Sequence, residues 1–207
     1  MQQTSRQKTK SALMRSAERL FAEKGLSGVS VKDITRAAGA KNPSALHYHF
    51  GNIETLLKEI FAERYAAIER ARMERLYKVK ADNPETRLVV LLEAALAPFI
   101  ETCLEKEGRL YVRFCVQLFT DPRFNPSEIM TDAGSESIVI LRGFLLDILK
   151  HIPEDVLTLR LRQALMIAML QADEFARRIE SGAAPTAEQA VRESAICLAG
   201  YLSAQEP

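Results

Sequence analysis

The chain has 207 residues, of which 47% are hydrophobic and 27% are charged, and its formal net charge is +1 at pH 7. This length allows one domain or two, and the hydrophobic content is ample for a buried core. No apolar secretory signal is visible at the start, and the purest apolar run, residues 164–170, is far too short to span a membrane. We therefore expect a cytoplasmic protein with no membrane partner.

Charge is distributed unevenly along the chain. Residues 1–51 hold nine Lys and Arg against three Asp and Glu, a net charge of +6, and the remainder therefore carries −5. A basic N-terminal quarter on an acidic body suggests a polyanionic partner for that quarter. The alternative is a basic face that is merely solvated.

Hydrophobic periodicity predicts about nine helices and no strand, so the expected fold class is all-α. The polar residues 1–8 are expected to be frayed, outside the first helix. The predicted helices are residues 9–24, 31–38, 44–50, 53–80, 84–106, 109–120, 126–151, 153–181 and 187–203.

Residues 30–58 have the pattern of a helix-turn-helix. Ser30 is a good N-cap for a short first helix, and Gly39 is expected to end that helix. Asn42 is predicted to cap the second helix, with Pro43 at its first position. The second helix is short, polar and aromatic, as expected of a helix that enters the DNA major groove.

One motif, Leu20–Gly25, comes just before this region, and two lie within it: Val31–Gly39 with Ile34, Ala37 and Ala38, and Tyr48–Leu57 with Gly51 and Glu54. Together with a charged connecting helix and an all-helical body, they resemble the tetracycline-repressor (TetR) family of bacterial transcription regulators. The resemblance covers roughly the first quarter of the chain, and beyond that it rests on length and helix pattern. The turn at Lys41–Ser44 is about one residue longer than the usual family pattern.

The resemblance implies a DNA-binding transcriptional regulator, most often a repressor, that a small-molecule effector releases from its operator. It also implies that the protein is not an enzyme. It further implies a homodimer that binds a palindromic double-stranded operator and pairs through its last two helices. On this interpretation residues 1–52 are the helix-turn-helix domain and residues 53–80 the connecting helix. Residues 81–207 are then the effector-binding and dimerisation domain.

Sequence readout needs donors and acceptors at base edges and cations at phosphates. The side chains predicted to contact bases are Asn42, Ser44, Ala45 and His47, with Ala45 placed against a thymine methyl. The predicted phosphate contacts are Lys41, Tyr48, His49, Lys58, and Ser30 and Lys32 at a helix N-terminus. Because His47 and His49 fall on different sides of a helix with no other ligand near, we predict no metal site and no cofactor.

Aromatic, thiol and Met side chains recur at helical spacing in the body, where they suit either an ordinary core or a mainly apolar pocket. The predicted pocket residues are Phe99, Cys103, Tyr111, Phe114, Cys115, Leu118, Phe119, Met166, Met169 and Phe175. We therefore expect a small apolar or aromatic effector. The penultimate helix is apolar on every side over residues 164–170, which favours a helical dimer interface. The predicted interface residues are Leu165, Met169, Ala195, Leu198, Ala199 and Leu202.

The cysteines are odd in number and lie in apolar helical patterns, so Cys103, Cys115 and Cys197 are expected to be free, buried thiols. Two other classes of function stay open. One is a helical enzyme that uses Cys115 or His151, and the other is a helical protein-interaction module with a basic N-terminus. The helix-turn-helix pattern within the +6 segment favours DNA binding over both.

Overall fold

The computed structural model describes residues 2–42, 44–79 and 84–205, which form ten α-helices, two short 3₁₀ segments and no strand. The helices are α1 (Gln2–Lys24), α2 (Val31–Ala37), α3 (Ala45–Phe50), α4 (Ile53–Lys78), α5 (Pro84–Glu101), α6 (Lys106–Thr120), α7 (Pro126–Asp132), α8 (Glu136–Ile148), α9 (Glu154–Glu180) and α10 (Ala187–Ser203). The 3₁₀ segments are Leu26–Gly28 and Thr102–Leu104. The predicted all-α fold is confirmed, and no helix among these residues is long and apolar enough to cross a membrane.

The helices pack into two compact units. Unit 1 contains the chain up to Tyr65 together with Arg113–Ala133, and unit 2 contains Ala66–Val112 together with the chain from Gly134 onward. Helices α4 and α6 therefore each contribute residues to both units. This division by packing is not the predicted division at residues 52 and 80, which stays a prediction about functional domains.

The core of unit 1 is built around one face of α1. The helical spacing of its apolar residues predicts a buried stripe. The five residues of that stripe are all buried: Leu13, Met14, Ala17, Leu20 and Phe21. The Phe21 ring lies 6.4 Å from the Phe114 ring of α6, and the Phe61 ring of α4 lies 5.3 Å from that of Phe119. The second half of α6 thus completes the core around the N-terminal helices.

Unit 2 has an apolar core in which α10 packs along α5 and α9. Within the same unit, α4, α5 and α8 meet in a buried polar cluster, which we call the Arg72 network. The Arg72 guanidinium donates from Nε to the Ala95 carbonyl at 2.8 Å and from Nη1 to the Ser137 hydroxyl at 3.3 Å. The Glu69 carboxylate accepts the Ser137 backbone N–H and hydroxyl, each at 2.6 Å. The carboxylate thus caps the start of α8 from a different helix.

Two predicted helix boundaries were wrong. Helix α1 begins at Gln2, so most of the polar start is helical rather than frayed. Gly108 was expected to separate two helices but lies within α6. It is needed there because a Cβ at this position would lie 1.7 Å from the carbonyl oxygen of Thr102.

The predicted helix over residues 126–151 is divided into α7 and α8 by Gly134, whose φ of +73° interrupts the helical backbone. This break gives ten helices where nine were predicted. The predicted end of the fourth helix, Lys80, lies outside the described residues. So does Asn83, which the sequence places as an N-cap before the helix that starts at residue 84.

Candidate nucleic-acid interface

Helix α2 begins with a complete capping box. The Asp33 N–H donates to the Ser30 hydroxyl oxygen at 3.2 Å, and the Ser30 N–H donates to the Asp33 carboxylate at 3.1 Å. Hydrogen bonds from Ser30 lower the pKa of the Asp33 carboxyl below its usual value. The start of α2 therefore already holds a negative charge. A phosphate at the predicted Ser30 site would have to compete with that carboxylate.

The turn between α2 and α3 places the cap two residues later than predicted. Gly39 ends α2 in the left-handed region at φ +64°, as expected. The Asn42 side-chain oxygen accepts the Ser44 N–H at 2.9 Å, which forms an Asx turn. Ser44 is the N-cap of α3, so the prediction that Asn42 caps this helix was wrong. Pro43 lies outside the described residues.

Helix α3 separates its side chains into a buried and an exposed set. Leu46 and Phe50 are buried in unit 1, whereas the Tyr48 side chain is 64% exposed and His47 is exposed beside it. Ala45 is only 7% exposed, because the first turn of α3 directs it inward. The structure therefore places Ala45 in the core and not on the surface where the predicted thymine contact would be made.

The His47 ring is oriented by its own helix end. Its Nδ1 lies 2.5 Å from the carbonyl oxygen of Gly51. A carbonyl can only accept, so Nδ1 carries the proton in this contact. In the neutral ring Nε2 is then an acceptor on the exposed side of α3.

His49 is half-buried, and its ring makes an edge contact with the Tyr48 ring at a centroid distance of 5.2 Å. Burial lowers the pKa of His49 below its ordinary value, and the cations Arg6 and Lys10 of α1 lower it further. This side chain therefore favours the neutral form. Its predicted phosphate contact would be a hydrogen bond rather than an ion pair.

The predicted phosphate-binding lysines differ in their partners. Lys32 and Lys41 are exposed near the start of α2 and of the turn. Lys58 instead donates to the Asp132 carboxylate of α7 at 2.8 Å. That hydrogen bond raises the pKa of Lys58. The Lys58 charge is therefore already paired within unit 1.

Sequence reasoning missed two residues of this surface. Arg6 was assigned to a frayed start, yet its guanidinium carbon lies 5.1 Å from the centroid of the Tyr48 ring. Asp132 was given no role, yet it pairs with Lys58 from 74 residues away. Arg6 and Lys10 are four residues apart and so lie on one face of a helix. This spacing was the one local signal for the contact between Arg6 and Tyr48.

The residues predicted to form an effector pocket are divided between the two units. Phe114, Cys115, Leu118 and Phe119 are buried in unit 1. The members in unit 2 are Phe99, Cys103, Tyr111, Met166, Met169 and Phe175. In unit 2 Cys103 and Phe175 share one apolar cluster. The predicted set is divided because α6 contributes residues to unit 2 up to Val112 and to unit 1 from Arg113 onward, and an effector pocket formed by these residues stays a prediction.

The residues predicted for the dimer interface lie mostly in the chain's own core. Ala195, Leu198, Ala199 and Leu202 are buried in one apolar cluster of unit 2, Met169 is buried and Leu165 is half-buried. The exposed apolar side chains of the last two helices are instead Leu159, Leu170 and Ile196. Cys103 and Cys115 are buried as expected, but Cys197 is exposed, so the prediction that it is buried was wrong.

Helix α2 is short and capped, and a turn joins it to α3, whose exposed side chains are polar and aromatic. Both helices lie in the basic N-terminal segment. This arrangement defines a helix-turn-helix DNA-binding protein. Residues 13–60 match the sequence model of a family described as bacterial regulatory proteins, tetR family. These residues therefore form a DNA-binding domain of the kind that this family model describes, and the chain is a DNA-binding transcriptional regulator.

Solved structures share the fold over almost the whole chain. A TetR family transcription regulator from Marinobacter aquaeolei VT8 is 16% identical, with a TM-score of 0.67 over 97% of this chain and 98% of that one. A putative tetR family regulator from Shewanella sp. PV-4 is 18% identical, with a TM-score of 0.61 over 92% and 95%. PfmR from Thermus thermophilus is 21% identical, with a TM-score of 0.56 over 90% and 96%. No curated protein matches the chain.

Proposed function

We propose that this regulator is a cytoplasmic, homodimeric repressor that binds a palindromic double-stranded operator and is released by a small apolar or aromatic effector. The observation that carries the proposal is the exposed face of α3, where His47 and Tyr48 project from a unit whose N-terminal 51 residues carry a net charge of +6. Regulators of this family are in general not enzymes, and Cys115, which an enzyme would need exposed, is buried.

The orientation of His47 gives the proposal a specific readout. With Nδ1–H held by Gly51, the free Nε2 accepts a hydrogen bond. In the major groove the amino groups of adenine and cytosine are donors, so we propose that His47 reads one of these bases. Ser44 and Asn42 lie at the start of the same helix and supply further hydrogen-bonding groups.

Selection of bound duplexes from a random pool tests this proposal. The selected duplex should bind far more tightly than a scrambled one, and the logarithm of its binding constant should fall with the logarithm of salt by about 0.9 per neutralised phosphate. His47→Ala should relax the preference at one base pair by about 1–3 kcal/mol. His151→Ala removes an exposed histidine of unit 2 and is the matched control, with no effect on preference. Equal binding to selected and scrambled duplexes would refute the proposed function.

The side chains of unit 2 support the proposal that the effector is mainly apolar. The aromatic and thiol side chains of this unit include Phe99 and Tyr111, whose rings meet edge to face at 6.4 Å. The side-chain oxygen of Gln171 is buried and has no hydrogen-bond donor among the described residues. A donor group on the effector would satisfy it. Candidate ligands should therefore be scored by release of the selected duplex, with Gln171→Leu weakening release by ligands that carry such a donor.

We propose that the dimer interface lies on the exposed side of α9 and α10, and not at the buried residues that the sequence predicted for it. Leu159, Leu170 and Ile196 are large apolar side chains left in water by the single chain. Burying them between two copies would be favourable at about 25 cal/mol per Å². Ile196→Glu should shift sedimentation to the monomer. Val139→Glu, at an exposed position of α8, is the control that should leave the dimer intact.

A further inference from the structure

The first turns of α1 lie over the aromatic side chains of α3. Arg6 places its guanidinium carbon 5.1 Å from the Tyr48 ring centroid, within the range of a cation–π contact. Lys10, one helical turn later, places its ammonium 5.4 Å from the Phe50 ring centroid. The cationic side of α1 is therefore part of the surface that presents α3.

These two cations differ in how their charge is compensated. The Lys10 ammonium forms an ion pair with the Glu59 carboxylate at 2.6 Å. Arg6 is exposed, and among the side chains that the structure describes no carboxylate lies within ion-pair distance of it. The Arg6 charge thus stands unneutralised beside the most exposed aromatic ring of α3.

Guanidinium geometry allows this residue to serve two partners at once. A contact with an aromatic ring uses the flat face of the group, whereas its N–H donors point outward in the plane. Those donors match the oxygens of a phosphate in a bidentate arrangement. The cation–π contact with Tyr48 therefore places the guanidinium beside α3. N–H donors that do not face the ring remain available to a phosphate.

We propose that Arg6 is a further DNA-binding residue, which donates to a backbone phosphate while its guanidinium face holds the Tyr48 ring in place. The proposal rests on the proposed DNA-binding function of α3. It adds the N-terminal turns of α1 to the binding surface and makes Arg6 and Tyr48 an energetically coupled pair. The contrasting role for Arg6 is purely structural, a cation–π contact that anchors α1 and leaves DNA binding unchanged.

The test measures binding of the full-length protein to its selected duplex as a function of salt. Arg6→Ala should weaken binding about tenfold and reduce the salt slope by about 0.9, the value for one phosphate contact. Arg15→Ala is the matched control, because Arg15 is an exposed cation of α1 nine residues on, about half a turn around the helix from Arg6. It should leave the slope unchanged. Thermal unfolding of both variants verifies that the fold is retained.

A double-mutant cycle with Tyr48→Ala tests the coupling. If Arg6 and Tyr48 act together, Arg6→Ala should cost less affinity in the Tyr48→Ala background than in the natural chain. Additive losses would overturn the pairing, and an unchanged slope in Arg6→Ala would overturn the phosphate contact. Either result, with strong binding of the natural chain to the selected duplex, leaves the proposed function standing. Loss of that preference in the natural chain would refute the proposed function itself.

Discussion

Helix α4 makes polar connections in both units, and two of them, one in each unit, differ sharply in their surroundings. In unit 1 the Lys58–Asp132 ion pair is 2.8 Å long, and its side chains are 42% and 55% exposed. In unit 2 the Arg72 and Glu69 side chains are 8% and 15% exposed, and Ser137 joins them by hydrogen bonds. Exposed pairs contribute little and are screened by salt, whereas a buried pair leaves an uncompensated charge when one partner is lost.

The comparison indicates that Arg72 is held firmly in unit 2 and that Lys58 is held loosely in unit 1. A loosely held lysine is available to exchange its carboxylate partner for a DNA phosphate. A firmly held arginine instead keeps its partners, because its loss would leave the Glu69 carboxylate largely buried without its cation.

Removal of the buried cation should have the largest effect. Arg72→Met keeps the length of the side chain but leaves the Glu69 carboxylate without its cation and the Ala95 carbonyl without its donor. We expect a loss of about 3–5 kcal/mol in the free energy of unfolding, measured by urea denaturation. Arg75→Met is the control one turn away, since its ion pair with Glu101 is about 40% exposed. It should cost less than about 1 kcal/mol. Similar losses in the two variants would remove the contrast.

A close backbone approach is the second constraint in unit 2. Gly108→Ala would place a methyl group against the Thr102 carbonyl, so the start of α6 would have to shift. We expect a loss of about 1–3 kcal/mol in the same measurement. Gly143→Ala lies in α8 with nothing within 4 Å of the new Cβ. It should instead gain up to about 1 kcal/mol, because Ala is the better helix former. A neutral Gly108→Ala would show that the 3₁₀ segment before α6 is freely displaced.

Releasing Lys58 should strengthen DNA binding. Asp132→Asn removes the carboxylate that holds the ammonium, so a phosphate no longer has to displace it. We expect the selected duplex to bind about two- to fivefold more tightly, with the gain shrinking at high salt. Glu128→Gln on α7 removes the same charge without touching the hydrogen bond and should have a smaller effect. Unchanged affinity in Asp132→Asn would exclude Lys58 from the DNA surface.

The local features of this structure could be predicted from the sequence, and the long-range ones could not. Ser30 with Asp33 and Thr186 with Gln189 form capping boxes, and each requires only a hydroxyl and a side-chain acceptor three residues apart. The α1 stripe was likewise predicted, because its 3.6-residue period is local.

The paths of α6 and α7 depended on contacts that no local pattern encodes. Phe114 and Phe119 read as body residues by their place in the sequence, yet they pack on Phe21 and Phe61 of the N-terminal helices. Asp132 and Arg6 joined the candidate site for the same reason. Their partners are 74 and 42 residues away, and charge alone does not specify which opposite group or ring will be adjacent.

The smallest expected effect concerns the pKa of His49 and tests whether the cations of α1 act electrostatically on a side chain of α3. Burial, then Arg6 and Lys10, lower the pKa of His49 from its ordinary value of 6.5. The unfolded chain therefore binds this proton more readily than the folded chain. The resulting stability is fully present above pH 6.5 and is lost as the pH falls through the folded-state pKa. In an NMR titration the His49 ring should have its midpoint below 6.5, and Arg6→Ala should raise that midpoint. His49→Gln should remove this part of the acid-induced loss of stability. A midpoint at or above 6.5 would mean that the cations of α1 and the burial of the ring do not act on His49 in solution.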